Sequence, residues 1–162
     1  MERFCQDRVR TAHPERRQVA VNLSAKTEYA CLAVLELALR HDCGQPVRVR
    51  TIAEQHGIPS RFLVQILLQL KGSGLVASTR GMAGGYQLAQ DPGEITLGDV
   101  QRVIEGRKSE LASNAGAETR VSRTLLAAWR RIAALERQLL DATTFADLVS
   151  QTLDPAESMY YI

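Results

Sequence analysis

The feature that most constrains the fold is a two-helix unit, broken by glycine and proline, that runs directly into a glycine-rich hairpin. From Ile52 to Leu88 the chain reads IAEQHGIPSRFLVQILLQLKGSGLVASTRGMAGGYQL. The pattern predicts a short first helix ended by Gly57, because glycine readily takes the positive φ of a tight turn. Pro59 favours the first turn of a second helix, because its missing N–H would have no partner there. The second helix should therefore follow at a sharp angle.

Apolar residues recur along the second helix at three- and four-residue spacing, which predicts one buried stripe. Ser60, Arg61 and Gln65 fall outside this stripe near the start of the helix. A helix-turn-helix presents such residues to the major groove, where Arg pairs with guanine and Gln with adenine. These residues are therefore a candidate DNA-reading surface. For the two helices taken alone, an ordinary helical hairpin with a solvated face is the alternative interpretation. The stripe consists of Phe62, Leu63, Ile66, Leu67 and Leu70.

The hairpin that follows predicts a wing beside the two helices. Residues 75–79 and 86–88 can pair as strands across the turn from Arg80 to Gly85. The glycines allow close backbone approach to another surface, and Arg80 suits a phosphate or a narrow minor groove. A nucleotide phosphate loop is excluded, because the glycines match neither G-x-G-x-x-G nor G-x-x-x-x-G-K-[ST] and lead into a strand. A plain connecting hairpin is the alternative for this segment alone.

Four segments in fixed order carry a family signature. They read LSAKTEYACLAVLELA from Leu23, IAEQHGIPSRFLVQIL from Ile52, LVASTRGMAGGYQLA from Leu75 and ITLGDVQRVIEG from Ile95. Together they resemble the Rrf2 (iron-sulfur cluster regulator-like) family of bacterial winged-helix transcription regulators, and the wing phrase S-x-R-G-x-x-G-G-Y-x-L-A is specific. The resemblance implies a mainly α fold with a small β-wing, in which a winged helix-turn-helix domain precedes a long C-terminal dimerisation helix.

The resemblance also implies a homodimer that binds a pseudo-palindromic operator in double-stranded DNA, with repression as the expected outcome. Several relatives carry an acidic residue immediately before the position of Gln65, whereas this chain has Val64, so a different preferred operator is expected. A winged-helix module for protein–protein contact is the alternative function. The implied DNA contacts are Lys26, Tyr29, Ser60, Arg61, Gln65, Arg80, Gly81, Gly84 and Gly85.

The stretch after Gly106 departs from the cluster-binding relatives, which place three cysteines there. Residues 107–122 form the corresponding sensor-like loop and contain neither Cys nor His. Because thiolates hold iron-sulfur clusters, we expect no cluster, no other metal and no cofactor at this place. Leu126 stands roughly where some relatives supply a non-cysteine ligand, and its aliphatic side chain cannot ligate iron. The protein would then respond to an effector protein, a small ligand or the oxidation of a thiol, or it would respond to no signal at all.

The three cysteines, Cys5, Cys31 and Cys43, lack metal-ligand spacing. We expect Cys31 to be a small buried core residue. Cys43 is the candidate redox thiol, because neighbouring His41 would lower its pKa if the two side chains met; a solvated loop is the alternative. An enzyme is not expected, because the sequence shows no metal set, no nucleophile with a base and no phosphate loop.

Helix signals extend the prediction to the rest of the chain. Ser24 should cap the first helix, and Thr96 with Asp99 should form a capping box for the helix from Leu97 to Glu105. A long helix should run from after Gly116 to about Ala142, with more apolar positions than one small domain can bury. The simplest partner is its twin across a two-fold axis, and packing on the first helix of the same chain is the alternative. The dimerisation positions are Leu125, Trp129, Ile132, Leu135 and Leu139.

A last short helix containing Phe145, Leu148, Val149 and Leu153 is expected to close the dimer. Four parts of the chain follow: a basic arm that we expect to be mobile, the winged domain, the sensor-like loop, and the dimerisation helix with the last helix. Their bounds are 1–22, 23–106, 107–122 and 123–162.

Charge and hydropathy agree with a DNA-binding protein of the cytoplasm. Residues 1–90 hold 12 Lys and Arg against 7 Asp and Glu, whereas residues 91–162 hold 8 against 11. The basic half therefore contains the DNA-reading surface, as phosphate neutralisation requires. Because the sequence has neither a run of about 18 apolar residues nor a signal peptide, we expect no membrane contact and a cytoplasmic location.

Overall fold

A computed structural model describes residues 23–81, 84–106 and 116–154 of the chain. The expected basic arm, with Cys5, and most of the sensor-like loop lie outside these residues. Within them, none of the helices has the length and apolarity needed to cross a membrane. The secondary structure is α1 (Ala25–Leu39), α2 (Val49–His56), α3 (Ser60–Gly72), β1 (Val76–Thr79), β2 (Gly85–Leu88), α4 (Leu97–Glu105), α5 (Arg120–Ala142) and α6 (Phe145–Leu153). The mainly α fold with a small β-wing is confirmed.

Local signals in the sequence predicted the starts of α1 and α4 and the end of α2. The Ser24 side chain accepts a hydrogen bond from the Thr27 backbone N–H at 3.1 Å and so caps α1. At α4, Thr96 Oγ1 accepts from the Asp99 N–H at 3.1 Å, and Asp99 Oδ2 accepts from the Thr96 N–H at 3.0 Å. Gly57 ends α2 with φ of 64°. Each of these features depends on residues within a few positions of one another, which makes them readable from sequence.

The core forms around α1, which contacts α2, α3, α4, α6 and β2. Its innermost side chains are mostly small, which allows neighbouring helices to approach closely. The larger side chains of this helix lie at intermediate depth, at Tyr29, Leu32, Leu35 and Leu39. The deeper face consists of Ala30, Ala33, Val34, Leu37 and Ala38.

The buried stripe of α3 is confirmed at four of its five positions, because Leu63, Ile66, Leu67 and Leu70 are fully buried. The prediction was wrong for Phe62, which is 37% exposed. Phe62 lies on the flank of α3 that faces the start of α1, and its ring meets the ring of Tyr29 edge-on with centroids 6.0 Å apart. Aromatic pairs favour this geometry, so Phe62 joins two surface elements at the edge of the core.

The wing is an antiparallel hairpin anchored to the segment before α2. Strands β1 and β2 pair in register from Val76 opposite Leu88 to Thr79 opposite Gly85. On its other side β2 exchanges two backbone hydrogen bonds between Tyr86 and Val47, of 2.7 and 2.8 Å. The base of the wing is thereby fixed to the helix-turn-helix.

The chain returns to the winged domain after α5. The Leu97 N–H donates to the Thr143 carbonyl at 3.0 Å, and the Phe145 N–H donates to the Ile95 carbonyl at 2.9 Å. Phe145 is fully buried in the core of this domain. The expectation that the last helix closes the dimer was therefore wrong for Phe145, which is buried in its own domain. Leu148 and Val149 pack only partly against the same core, so their contact across the dimer stays a prediction.

A polar contact fixes the C-terminal end of α5 against α4. The guanidinium of Arg102 donates to Asp99 on its own helix and to Asp141 on α5. Gly98 lies beneath this contact, where a Cβ atom would overlap the Asp141 carboxylate. A larger residue at this position would displace the Asp141 carboxylate, a flexible side chain, from its contact with Arg102.

Candidate nucleic-acid interface

The first two turns of α3 present an exposed polar face. Ser60, Arg61 and Gln65 are all exposed, as expected from the sequence. Arg61 and Gln65 are four residues apart and so lie on the same side of the helix. Both side chains can form paired hydrogen bonds with base edges, which makes this face chemically able to read DNA.

Two aliphatic residues lie among these polar residues. Val64 is 37% exposed and Leu68 is 54% exposed. They follow Arg61 by three and seven residues, so they extend the same face toward the C-terminal end of α3. The sequence placed both outside the buried stripe, and the structure agrees.

The start of α1 lies beside the start of α3. Lys26 and Tyr29 are half-buried there, and the contact between Tyr29 and Phe62 joins the two helices. The structure therefore brings two predicted DNA contacts of α1 close to those of α3. The carboxylate of Glu105, at the end of α4, holds this region in place by accepting hydrogen bonds from Ser24 Oγ (3.1 Å) and Thr27 Oγ1 (2.7 Å).

The wing places Arg80 and Gly81 at the surface, both exposed. Gly81 has a φ of 110°, which favours glycine there. Gly84 and Gly85 have a structural role that the sequence did not predict, because their backbone approaches the chain itself. A Cβ atom on Gly84 would overlap the Thr79 carbonyl oxygen, and one on Gly85 would meet the Val47 carbonyl. Their contact with DNA stays a prediction, whereas their need to be glycine has an internal cause.

A buried carboxylate on α1 holds α2 in position, and sequence reasoning missed it. Glu36 is only 4% exposed. It accepts a hydrogen bond from Gln55, and its oxygens lie 3.2 Å from His56 Nε2 and 3.1 Å from Arg40 Nη1. A buried polar group requires such partners to offset its lost hydration. An acidic residue within the apolar stretch ACLAVLELAL was the signal, but its partners on α2 are 19 and 20 residues away.

The two cysteines in the described residues have different environments. Cys31 is half-buried against the core, and burial, with a smaller effect of the Glu105 charge, raises its pKa to about 11. Its thiol is therefore protonated and unreactive near neutral pH. Cys43 is exposed. Across residues 23–81, 84–106 and 116–154, no three His, Cys, Asp or Glu side chains form a group that could hold a metal ion.

Comparison with known proteins decides the family. The profile of the Rrf2 family, described as iron-dependent transcriptional regulator, matches residues 23–151. The chain belongs to the Rrf2 family. It is 36% identical over 143 residues to the HTH-type transcriptional regulator CymR of Bacillus subtilis (strain 168), a match that covers 88% of this chain and 100% of CymR.

Solved structures of Rrf2 regulators have the same fold. The structure of B. subtilis CymR, described as the global cysteine regulator, matches with a TM-score of 0.71 at 34% identity, over 82% of this chain and 98% of CymR. T. potens IscR matches with a TM-score of 0.68 at 30% identity, over 87% of this chain and 97% of IscR. The chain is a winged helix-turn-helix transcription regulator that binds DNA, and not an enzyme.

The donor groups of this chain do not fit the iron-sulfur cluster that the family resemblance implies. Residues 107–122 contain no thiol and no imidazole. Leu126, the residue nearest to the place of the non-cysteine ligand, is half-buried on α5 and offers only carbon atoms. Because an iron-sulfur cluster needs thiolate ligands, this Rrf2 regulator lacks the means to build one in that loop.

Proposed function

We propose that this Rrf2 regulator is a homodimeric repressor that binds a pseudo-palindromic operator without an iron-sulfur cluster in the family's usual site. The observation that carries the proposal is the surface of α5. This helix has 23 residues and none is buried. Its apolar stripe is between 53% and 70% exposed at Leu125, Trp129, Ile132, Leu135 and Leu139. An exposed apolar surface of this extent is typical of a protein–protein interface.

A second copy of the chain is the simplest occupant of the α5 stripe. Its residues recur at four- and three-residue spacing, so two such helices can pack along their length. A two-fold axis would then relate the two α3 helices, as a pseudo-palindromic operator requires. Recognition helices in successive major grooves must lie about one DNA turn apart, roughly 34 to 36 Å. We therefore assign α5 the role of setting this distance.

The proposed DNA contacts divide into base-reading and backbone-binding groups. Arg61 and Gln65 read bases in the major groove, and their exposure on one side of α3 supports this role. Lys26, Tyr29 and Ser60 bind the phosphate backbone around the same groove. Exposed residues of the wing enter the minor groove, where Arg is favoured. These wing residues are Arg80 and Gly81, with Gly84 and Gly85 behind them.

A defined experiment tests the proposal. Protein purified anaerobically would be assayed for iron and sulfide and used to select DNA from a random-sequence pool at two salt concentrations. A palindromic consensus bound by iron-free dimers is expected, with affinity that falls as salt rises. Stoichiometric iron and sulfide, or an asymmetric half-site bound by monomers, would contradict it.

Substitutions in α3 separate DNA reading from protein contact. Arg61→Ala and Gln65→Ala should each weaken operator binding by about 1–3 kcal/mol and relax sequence preference at one position. Gln151→Ala, at an exposed glutamine of α6, is the matched control and should leave binding unchanged. If Arg61, Gln65 and Arg80 can all be changed without effect on regulation, the winged-helix protein-contact module becomes the better interpretation.

A regulator of chromosomal DNA acts in the cytoplasm, and we expect this protein to be located there.

Thiol sensing through Cys43 is the second candidate for the signal, beside an effector protein or a small ligand. The exposure of Cys43 favours it, because Cys31 is half-buried with a raised pKa. Operator affinity would be measured before and after mild peroxide treatment, in the wild type and in Cys43→Ser. A loss of affinity that only the wild type shows, reversed by a thiol reductant, would support this route, and equal behaviour of the two proteins would exclude it.

A further inference from the structure

The reading face of α3 contains an aliphatic strip that no part of the protein covers in the described structure. Val64 and Leu68 lie on the same side as Arg61 and Gln65, with exposures of 37% and 54%. Phe62 differs, because the ring of Tyr29 packs against it. Isolated exposed apolar residues are common on protein surfaces, but these two lie one helical turn apart on the face proposed to read bases, which makes them candidate DNA contacts.

The charge of α3 indicates what that partner surface is. Its sequence, SRFLVQILLQLKG, contains Arg61 and Lys71 and no acidic residue. An interface free of negative charge suits DNA, whose phosphates line both sides of the major groove. The apolar group that base edges offer in this groove is the C5 methyl of thymine. Valine and leucine can neither donate nor accept a hydrogen bond, so this methyl is the feature of a base pair they can recognise.

We propose that Val64 contacts a thymine methyl in each operator half-site, and that Leu68 contacts a second thymine methyl one helical turn further along α3. The proposal rests on the function proposed above and adds a sequence preference to it. Val64 is well suited to this role, because a β-branched side chain in a helix has essentially one χ1 rotamer and holds its methyl groups in place. Each half-site should then contain thymines beside the base pairs that Arg61 and Gln65 read.

Replacing thymine by deoxyuridine tests the proposal, because it removes one C5 methyl group from the operator at a time. Each thymine of the selected operator is replaced in turn by deoxyuridine, which removes the C5 methyl and keeps the Watson–Crick edge. Affinities are measured at one salt concentration for the wild type, Val64→Ala and Leu68→Ala. Alanine keeps α3 helical, and both sites are exposed, so the variants should fold. Gln151→Ala, at an exposed glutamine of α6, is the control.

The expected result is a pair of positions at which wild-type affinity falls about fourfold, the effect of one lost methyl contact. Val64→Ala should bind the thymine and deoxyuridine forms equally at one of these positions, and Leu68→Ala should do so at the other. The control should keep both effects.

Two results would overturn the methyl contacts while leaving DNA binding intact. One is specific binding that is insensitive to every deoxyuridine. The other is a methyl effect that persists unchanged in both alanine variants, which would assign it to another side chain or to DNA shape. Failure of the wild type to select any sequence contradicts the proposed function itself, and the methyl contacts with it.

Discussion

The winged domain and α5 use similar amino acids in opposite ways. All 20 buried hydrophobic residues of the described chain lie outside α5, in the winged domain and at Phe145. The apolar stripe of α5 is exposed along its whole length. The winged domain therefore buries its apolar side chains by itself, whereas the apolar stripe of α5 is not covered by any described part of the chain. Apolar periodicity predicts that a face will be buried, but it does not say by which chain.

The contrast has a thermodynamic consequence. Most of the stability of a helix in a protein comes from packing its apolar face, and an isolated helix is marginal in water. The winged domain should therefore fold with a stability that does not depend on protein concentration. The stability of α5 should rise with concentration, as association requires.

Removing the Phe145 side chain should produce the largest loss of stability, and it tests whether α6 belongs to the core of the winged domain. Phe145→Ala should lower the free energy of unfolding by about 3–5 kcal/mol, because it leaves a cavity where a fully buried ring was. Urea denaturation at fixed protein concentration measures this. Gln151→Ala, at an exposed position of the same helix, should change stability by less than about 0.5 kcal/mol. Similar losses for both variants would mean that α6 is not part of the winged core.

A charge in the α5 stripe should separate the two copies and leave the winged domain folded. Ile132→Glu should give monomers in analytical ultracentrifugation and reduce operator affinity on the order of 100-fold, because one half-site then binds without its twin. Ala134→Glu places the same charge on the opposite side of α5 and should remain dimeric. Monomeric wild-type protein, or a dimeric Ile132→Glu, would refute the stripe as the dimer interface.

A methyl group at Gly85 should disturb the wing without touching α5. Gly85→Ala should destabilise the protein by about 1–3 kcal/mol, because the added Cβ meets the Val47 carbonyl. It should also weaken operator binding by moving Arg80. Gly116→Ala, before α5, has open space around the new atom and should be neutral. Thermal unfolding and a DNA titration of both variants make the comparison, and equal melting temperatures would refute the close approach.

Acid should affect the cap of α4 and not the cap of α5. Partial burial acts to raise the pKa of Asp99, but hydrogen bonds from Thr96 and the charge of Arg102 outweigh it and hold the pKa below its usual 3.8. A lowered pKa stabilises the fold above the unfolded-state value, and this contribution is lost as pH falls through the folded-state value.

Below about pH 4, wild-type protein should therefore lose more stability than Asp99→Asn, by less than about 1 kcal/mol because the site is partly exposed. The α5 cap pairs Thr119 with Ser122, which does not titrate. Urea denaturation at a series of pH values measures the difference. Parallel pH profiles for the two proteins would show that Asp99 does not contribute.

Features that depend on near neighbours were predictable from the sequence. The capping box of α4, the positive φ of Gly57 and the pairing of β1 with β2 each involve a short stretch of chain. The exposed face of α3 also followed from periodicity, because it lies on the side of the helix opposite the buried stripe.

Features that depend on distant partners were not predictable. The burial of Glu36 requires α2, and the burial of Phe145 requires the chain to return to the winged domain after α5. On α1, Ala30 and Ala33 lie deeper than the larger side chains, because five neighbouring elements pack around that helix. Phe62 fitted the apolar spacing of α3 but lies at the edge of the core. Periodicity predicts on which side of a helix a side chain lies, but it does not predict how deeply that side chain is buried.

The β-bridge between Thr96 and Thr144 brings together the two ends of the chain segment that lies between them. Backbone contacts join the residues just before α4 to those just before α6, so the chain that forms α4, the loop and α5 begins and ends at one place on the winged domain. An insertion, deletion or altered residue in the loop between these helices therefore does not change where the chain re-enters the core. The loop can therefore lack cluster ligands, or contain residues that respond to another stimulus, while the DNA-reading half of the protein folds as before.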